Sequence, residues 1–507
     1  MKKFCNKYCL IILVLIFVIF SFTFPLRFLL NFAHDDSFFY LKIANNFSRG
    51  FGSTFDRINY TNGYHPLWFF ILTAIYFPFN YLFKASPEFI YRITFLIHSV
   101  ICIFISFITF KIFSYRPSKE KLRIAFSIFI ILIAALIFIR DVGMESILAC
   151  LVLSAYYFYF VKEFYFNQNH HILKTLLLVL LFLCRTDYLF TLIPFIVISN
   201  YFLNNRQKRE LIINLAALFI IAAIYYFQNY YFWGNIASIP QIIESSFPKI
   251  ILLPNLENFI TKPLFFYNQF VKVGFLLFVM IFCIFAFKKT KLFVIDKLDY
   301  MMFFSCCGFL LFTLSHYSFN INALREWYMT PPVFVSALLL LKILNNHIKF
   351  AGLIILVSLI FSSTIFYLTR IKNDKYSSAY SYALNLKSKV AENDAVFQID
   401  FSGVVGFFSE RNIIDGDGLA NSFEYYDYRK NNKLAEYLNK YKVKYYSTFI
   451  EYNLNDSDTL FTDDRFKSFI KEYPFTFPIN DLVIKEPYDY QHVVFKAKGD
   501  WLLFKLR

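Results

Sequence analysis

What most constrains this chain is a series of apolar runs, many long enough to cross a bilayer, that recurs from the N-terminus to about residue 369. Such a run must satisfy its backbone N–H and C=O groups internally once it leaves water, and a helix does so within one segment. The runs fall at about 9–30, 90–112, 124–139, 146–161, 173–184, 188–203, 211–227, 267–287, 299–315, 328–344 and 350–369, which predicts about 11 transmembrane helices. Composition agrees. Of 507 residues 58% are hydrophobic and 17% charged, and 70 Phe and 37 Tyr are more apolar side chain than a soluble chain of this length can bury.

The formal net charge is +16. Residues 370–507 carry 20 basic and 20 acidic side chains, so the excess lies wholly in the apolar part. The expected organisation is therefore a membrane half, 1–369, and a soluble half, 370–507, with membrane lipids and no nucleic acid among the partners. Lys2, Lys3 and Lys7 precede the first run as in a signal sequence, but the run is too long and lacks a small-residue cleavage site. It reads as an uncleaved first span. The eight cysteines lie in or beside apolar segments and none follows Cys307, so no disulfide framework is expected. No Cys/His set has zinc spacing, His170-His171 included.

Alternation fixes the side of every loop once the first is placed. With the N-terminus inside, cytoplasmic segments total about 19 basic against about 5 acidic residues, and the opposite side about 12 against about 10. The polar, irregular loops then all fall on the external face with the tail: Asn31 to Pro87, Arg140 to Ser146, Trp233 to Pro240, and Arg325 to Pro332. Carboxylates, Gly, Trp and Arg crowded at one membrane face beneath a soluble domain point to an enzyme or binder working there.

In the first loop, His34-Asp35-Asp36 precedes a stretch to Phe47 whose apolar positions suit an interfacial helix. Two readings stand. Asp36 caps this helix with Asp35 solvated, or one of the pair is a general base that takes a proton from an attacking hydroxyl. Gly50-Phe51-Gly52 allows tight turns, Pro66 suits the first turn of another interfacial helix, and Trp68 suits the headgroup layer. His65 either contacts substrate or is a hydrogen-bonded scaffold residue.

This order of features resembles the type C (GT-C) glycosyltransferase superfamily: an uncleaved first span, Asp35-Asp36, Phe39-Tyr40-Leu41 with Ile43-Ala44, the Gly-Phe-Gly turn, and Thr61-Asn62-Gly63-Tyr64-His65-Pro66-Leu67-Trp68. It is most similar to bacterial members, the protein mannosyltransferases, aminoarabinose transferases and terminal arabinosyltransferases. Gly143-Met144-Glu145-Ser146 is similar to the Gly-Met-Glu-Thr of the last group. The resemblance implies transfer of a hexose or pentose from a polyprenyl-phosphate carrier to a glycan, lipid or protein acceptor at the external face, with inversion and without a metal or cofactor. It implies Asp35 or Asp36 as base, Asp141 with Glu145 positioning acceptor or sugar hydroxyls, and Arg325 holding the lipid phosphate, which a guanidinium can grip with two N–H groups. Lys249 follows a weaker match.

Each assignment has a plainer alternative. Glu145 caps the span that follows it, Asp141 pairs with Arg140, and Arg325 pairs with Glu326. Arg185-Thr186-Asp187 is a further charged pair, structural or functional. In the tail, strands are expected at 395–399, 443–450, 492–496 and 501–506 and a helix at 433–441, a small α/β domain. Residues 403–409 and 415–419 read as tight turns at strand ends, since neither has nucleotide- or calcium-loop spacing. In these enzymes such a tail covers the site and contacts the acceptor. Glu424-Tyr425-Tyr426-Asp427-Tyr428 is similar in part to the oligosaccharyltransferase signature Trp-Trp-Asp-Tyr-Gly, which keeps glycan transfer to protein as one alternative. A transporter or flippase of lipid-linked glycans is the other. The expected location is a bacterial inner membrane, N-terminus cytoplasmic and tail periplasmic.

Overall fold

A computed structural model of the chain describes residues 2–113, 141–204, 208–261, 267–289, 293, 295–321, 324–344, 375–452, 454, 459–463, 475–491 and 496–506. In chain order the helices before the tail are α1 (Lys2–Thr23), α2 (Leu26–Leu30), α3 (Asp35–Ser48), α4 (Pro66–Phe83), α5 (Pro87–Phe113), α6 (Ser146–Phe166), α7 (His171–Cys184) and α8 (Leu192–Asn204). Then follow α9 (Lys208–Trp233), α10 (Ile239–Glu244), α11 (Leu252–Thr261), α12 (Tyr267–Lys288), α13 (Lys297–Phe319) and α14 (Thr330–Leu344). Single 3-10 turns, Thr186–Leu189 and Glu326–Met329, lead into α8 and α14.

Among the described residues, eight helices are long and apolar enough to cross a membrane, and the chain is a multi-pass membrane protein. Two of the expected segments, 124–139 and 350–369, lie outside the described residues, and 173–184 falls on the 14-residue α7. One of the eight, α4, lies in what reads from sequence as an external loop. Its ends are both tied to α3 and its surroundings: His65 stands 3.8 Å from Glu145, and Asn80 Nδ2 donates to Asn45 Oδ1 at 2.8 Å and Ser48 Oγ at 2.6 Å. Helix α4 therefore runs along α3.

Close packing in the bundle uses small residues where helices touch. Gly308 of α13 lies against the backbone of Leu192 at the start of α8, where an added Cβ would be 2.9 Å from the Leu192 Cα. Large apolar side chains such as Phe219 and Phe227 on α9 are left exposed, as expected of a lipid-facing surface.

The polar helix ends converge on one face. Val142 N–H donates to Phe32 O, Ile239 N–H to Asn62 Oδ1, Gln241 Nε2 to Thr186 Oγ1, and Ile321 N–H to Glu244 O. These bonds join segments far apart in sequence.

The tail begins with α15 (Lys375–Lys389) and continues with β1 (Ala395–Gln398), α16 (Ser402–Ser409), β2 (Asn412–Asp415), α17 (Phe423–Lys430), α18 (Leu434–Lys440), β3 (Val443–Ile450), β4 (Leu460–Thr462), β5 (Thr476–Pro478), β6 (Leu482–Gln491) and β7 (Lys496–Lys505). Five strands form one mixed sheet in the order β2-β1-β3-β7-β6, with β1 parallel to β2 and β3, and β7 antiparallel to β3 and β6. Successive residues of β7 alternate faces. Trp501 and Leu503 join the core that continues into the membrane part, whereas Leu502 and Phe504 join a second core with Phe397, Tyr446 and Phe477. The α/β expectation holds, with two differences. Residues 403–409, expected as a tight turn at a strand end, lie in α16, and Gly403 and Gly406 serve close packing. Of 492–496, residues 492–495 lie outside the described residues, and the neighbour of β7 is β6.

Candidate active site

Helix α3 organises the site. It starts from His34, whose extended backbone and reciprocal bonding with Ser37 form its N-terminal box. Asp35 and Asp36 occupy the first turn, where carboxylates meet the positive end of the helix dipole. The expectation that Asp36 caps α3 and Asp35 is solvated is corrected here: His34 is the cap, and Asp35 is engaged elsewhere.

Adjacent helical positions point about 100° apart, and this separates the two carboxylates. Asp35 accepts backbone N–H groups from Val404 at 2.8 Å and Gly403 at 3.2 Å, at the start of α16 in the tail. Burial and the neighbouring Asp36 and Asp400 push its pKa up, and the two N–H bonds oppose this. Asp36 has no hydrogen-bond partner among the described residues. Burial raises its pKa to about 6, with the Arg325 charge pulling down and Glu244, Asp415 and Asp400 pushing up.

Arg325 stands at the head of the Glu326–Met329 turn. Its side chain is 38% exposed, its Nη2 is 3.7 Å from Glu244 Oε1, and its Nε has no partner among the described residues. Burial works against its charge, but Asp36, Glu244 and Asp417 outweigh it and hold its pKa above the ordinary value. This guanidinium therefore retains N–H groups for a ligand. The alternative pairing with Glu326 is not what the structure has.

One helical turn past Asp36, on the same side of α3, Tyr40 leads to a second polar centre. Its phenol is buried, and burial with the nearby Glu145 raises its pKa. Arg185 Nη1 donates to Glu145 Oε1 at 2.6 Å, and its other edge grips Asp187 with Nη2–Oδ2 at 2.8 Å and Nε–Oδ1 at 3.3 Å. His316 Nε2 stands 3.2 Å from Asp187 Oδ2, His65 Nε2 3.8 Å from Glu145 Oε1, and the Tyr328 ring 4.0 Å from the Arg185 Cζ. Arg185 is 2% exposed and already balanced by two carboxylates. It organises this polar centre and has little left to offer an anion. Burial lowers the His65 pKa, with Glu145 opposing, which favours a neutral imidazole.

Of the other expected site residues, Asp141 is 1% exposed, accepts from Ser146 Oγ at 2.8 Å and faces His34 Nε2 at 3.8 Å. It braces the 141–146 turn, where Gly143 takes a positive φ of 88° and its carbonyl accepts Trp68 Nε1–H at 2.6 Å. Arg140 lies outside the described residues. Glu145 is at the N-cap position of α6 but its side chain makes no capping bond, its oxygen being held by Arg185. Lys249 is exposed in a turn closed by Ser246 and is not gathered with the others.

Sequence reasoning missed Glu244, His316, Tyr40 and Tyr328, and weighed Arg185-Asp187 without assigning it. It also missed the tail's contribution. Asp417, between two glycines, has no side-chain hydrogen bond among the described residues, and its carboxyl is pushed up by burial, Asp415, Asp400 and Asp35. The only available signal was the Asp-Gly-Asp-Gly run itself.

No family model and no curated protein sequence matches the chain. Among solved structures, the Archaeoglobus fulgidus oligosaccharyltransferase, crystallised in complex with zinc and sulfate, is similar over 87% of this chain and 68% of that one. The TM-score is 0.42 and the identity 14%.

Proposed function

We propose that this protein is a membrane glycosyltransferase that moves a hexosyl or pentosyl group from a polyprenyl-phosphate carrier to a glycan, lipid or protein acceptor of the cell envelope. The observation that carries this reading is Asp36. Its carboxylate has no hydrogen bond among the described residues, its pKa is raised to about 6, and it feels the charge of an incompletely paired guanidinium, Arg325, where the membrane helices meet the tail.

The pairing suits an inverting displacement. The acceptor oxygen attacks the anomeric carbon as its proton passes to Asp36, while the bond from that carbon to the carrier phosphate breaks and its electron pair leaves on the phosphate oxygen. The phosphate keeps its negative charge, and Arg325 stabilises the charge developing on it. Glu145, held by Arg185 through one oxygen, and the neutral His65 beside it can bond sugar hydroxyls.

The Lys/Arg distribution favours a cytoplasmic N-terminus with the site and the tail on the external face, the periplasmic side of a bacterial inner membrane. Mass spectrometry of envelope glycans and lipid-linked saccharides from a deletion strain tests the proposal. The expected result is loss of one sugar from a mature glycan with accumulation of the carrier-linked monosaccharide, whose mass names the donor. Accumulation of a complete lipid-linked glycan instead is the result for a flippase or for transfer of a whole glycan to protein.

A further inference from the structure

Asp35 neighbours the residue assigned as base and is held by the tail. We propose that Asp35 is a positioning residue that fixes the 415–420 loop of the tail, with Asp417, beside Asp36 and Arg325, which makes the tail part of the site.

The connection can be followed atom by atom. Asp35 accepts the Gly403 and Val404 N–H groups, two of the donors that a helix start leaves without intrahelical partners. Gly403 sits so close that any side chain there would overlap the Asp35 backbone carbonyl, and a Cβ at Gly406 would be 2.5 Å from the Phe55 ring. Next to this contact, Ser402 Oγ donates to Asp415 Oδ1 at 2.7 Å, and Asp415 Oδ2 accepts the Ala420 N–H at 2.9 Å. The loop so closed is wedged on both sides. The Leu419 carbonyl packs on Gly63 with no room for a side chain there, and Gly418, at a φ of 89°, lies against Ile243, the neighbour of the Glu244 that faces Arg325.

Charge complements this docking. Asp35 lies at the positive end of α16, and at the other end Arg49 Nη1 meets Glu410 Oε1 at 3.2 Å. Two turns past Asp35 on the same side of α3, Lys42 is 2% exposed, with its amine pushed down to about 7 by burial and Arg57.

The docking itself does not depend on the proposed reaction, whereas its effect on catalysis rests on Asp36 being the base. Hydrogen–deuterium exchange on the full chain in lipid nanodiscs tests the docking, with Asp35→Ala and Gly403→Ala breaking the same contact from either side. Exchange at 402–405 and at 415–420 is expected to rise about tenfold or more while β3 and β7 stay protected, and Asp35→Asn, which keeps a carbonyl acceptor, is expected to recover part of the protection. Unchanged exchange at 415–420 in both variants, or equal loss across β3 and β7, would overturn the proposal.

A pH profile separates positioning from general support. Around Asp36 stand Asp35 on its own helix, Arg325, Glu244, Asp400 and Asp415, and the last two come with the tail. Gly403→Ala retains every charge but loosens the tail, so the acidic limb of the activity profile is expected to move below its wild-type midpoint. Activity that falls with no movement of the limb would assign Asp35 a purely structural role. Failure of Asp36→Asn to reduce activity would instead overturn the proposed reaction and leave the exchange result standing.

Discussion

The Oδ1 atom of Asp35 accepts the backbone N–H of Val404 at 2.8 Å, joining residues 369 positions apart in the chain. This bond divides the roles of two adjacent carboxylates, because a group holding two backbone donors is poorly placed to receive a proton from an acceptor hydroxyl. Asp36, one step around the helix, has no such engagement among the described residues, and the charge of Arg325 acts on it.

The pH dependence follows from Asp36. A base must be ionised to accept a proton, and burial holds this carboxyl at about 6. Activity is expected to be low below that value, to rise through about pH 6 and to level off above it. A rate independent of pH between 5 and 7, measured in proteoliposomes, would contradict the assignment.

Arg325→Lys keeps a positive charge but loses the fork that can bind two phosphate oxygens. The variant is expected to lose about tenfold to a hundredfold in kcat/KM while folding normally. Wild-type kinetics would show that Arg325 only anchors at the headgroups.

Arg185 predicts a different phenotype. Replacing it by Leu would leave Glu145 and Asp187 without the cation between them, and breaking a buried ion pair by removing one partner costs about 3–5 kcal/mol. Thermal unfolding in detergent should show a large loss of stability, with Arg185→Lys intermediate. A stable Arg185→Leu protein would show that the two carboxylates are protonated or hydrated in the fold.

At Gly308, a side chain would be driven into Leu192. Gly308→Leu is expected to cost about 1–3 kcal/mol by overpacking, and Gly308→Ala less, in the same unfolding experiment.

Much of the architecture is legible in the sequence because apolar runs and strand alternation are local. The strands at Ala395 and Val443 and the helix near Leu434 appear close to where the pattern puts them. The site was half legible. Asp35-Asp36, His65, Glu145 and Arg325 stand out as polar groups at the ends of apolar segments, but which carboxylate the tail engages depends on a 100° rotation that only a partner reveals. Glu244 and Asp417 reach the site from distant segments, and no local pattern marks them. The turn expected at 403–409 is a helix because its glycines serve packing: Gly403 meets the Asp35 carbonyl of α3 and Gly406 the Phe55 ring, each too closely for a side chain. For α4, length and hydropathy suit a span although the sequence pattern reads it within an external loop, and Asn80 ties it to Asn45 and Ser48 of α3.

The central claim is that Asp36 is the base and Asp35 is not. It is tested most directly by complementing a deletion strain with wild type, Asp36→Asn or Asp35→Asn at matched membrane levels, and reading envelope glycans and carrier-linked sugars by mass spectrometry. The account predicts that Asp36→Asn restores no product and leaves the carrier-linked monosaccharide accumulated, whereas Asp35→Asn restores a substantial part of the glycan. Full restoration by Asp36→Asn, or complete failure of Asp35→Asn beside a functional Asp36→Asn, would contradict it.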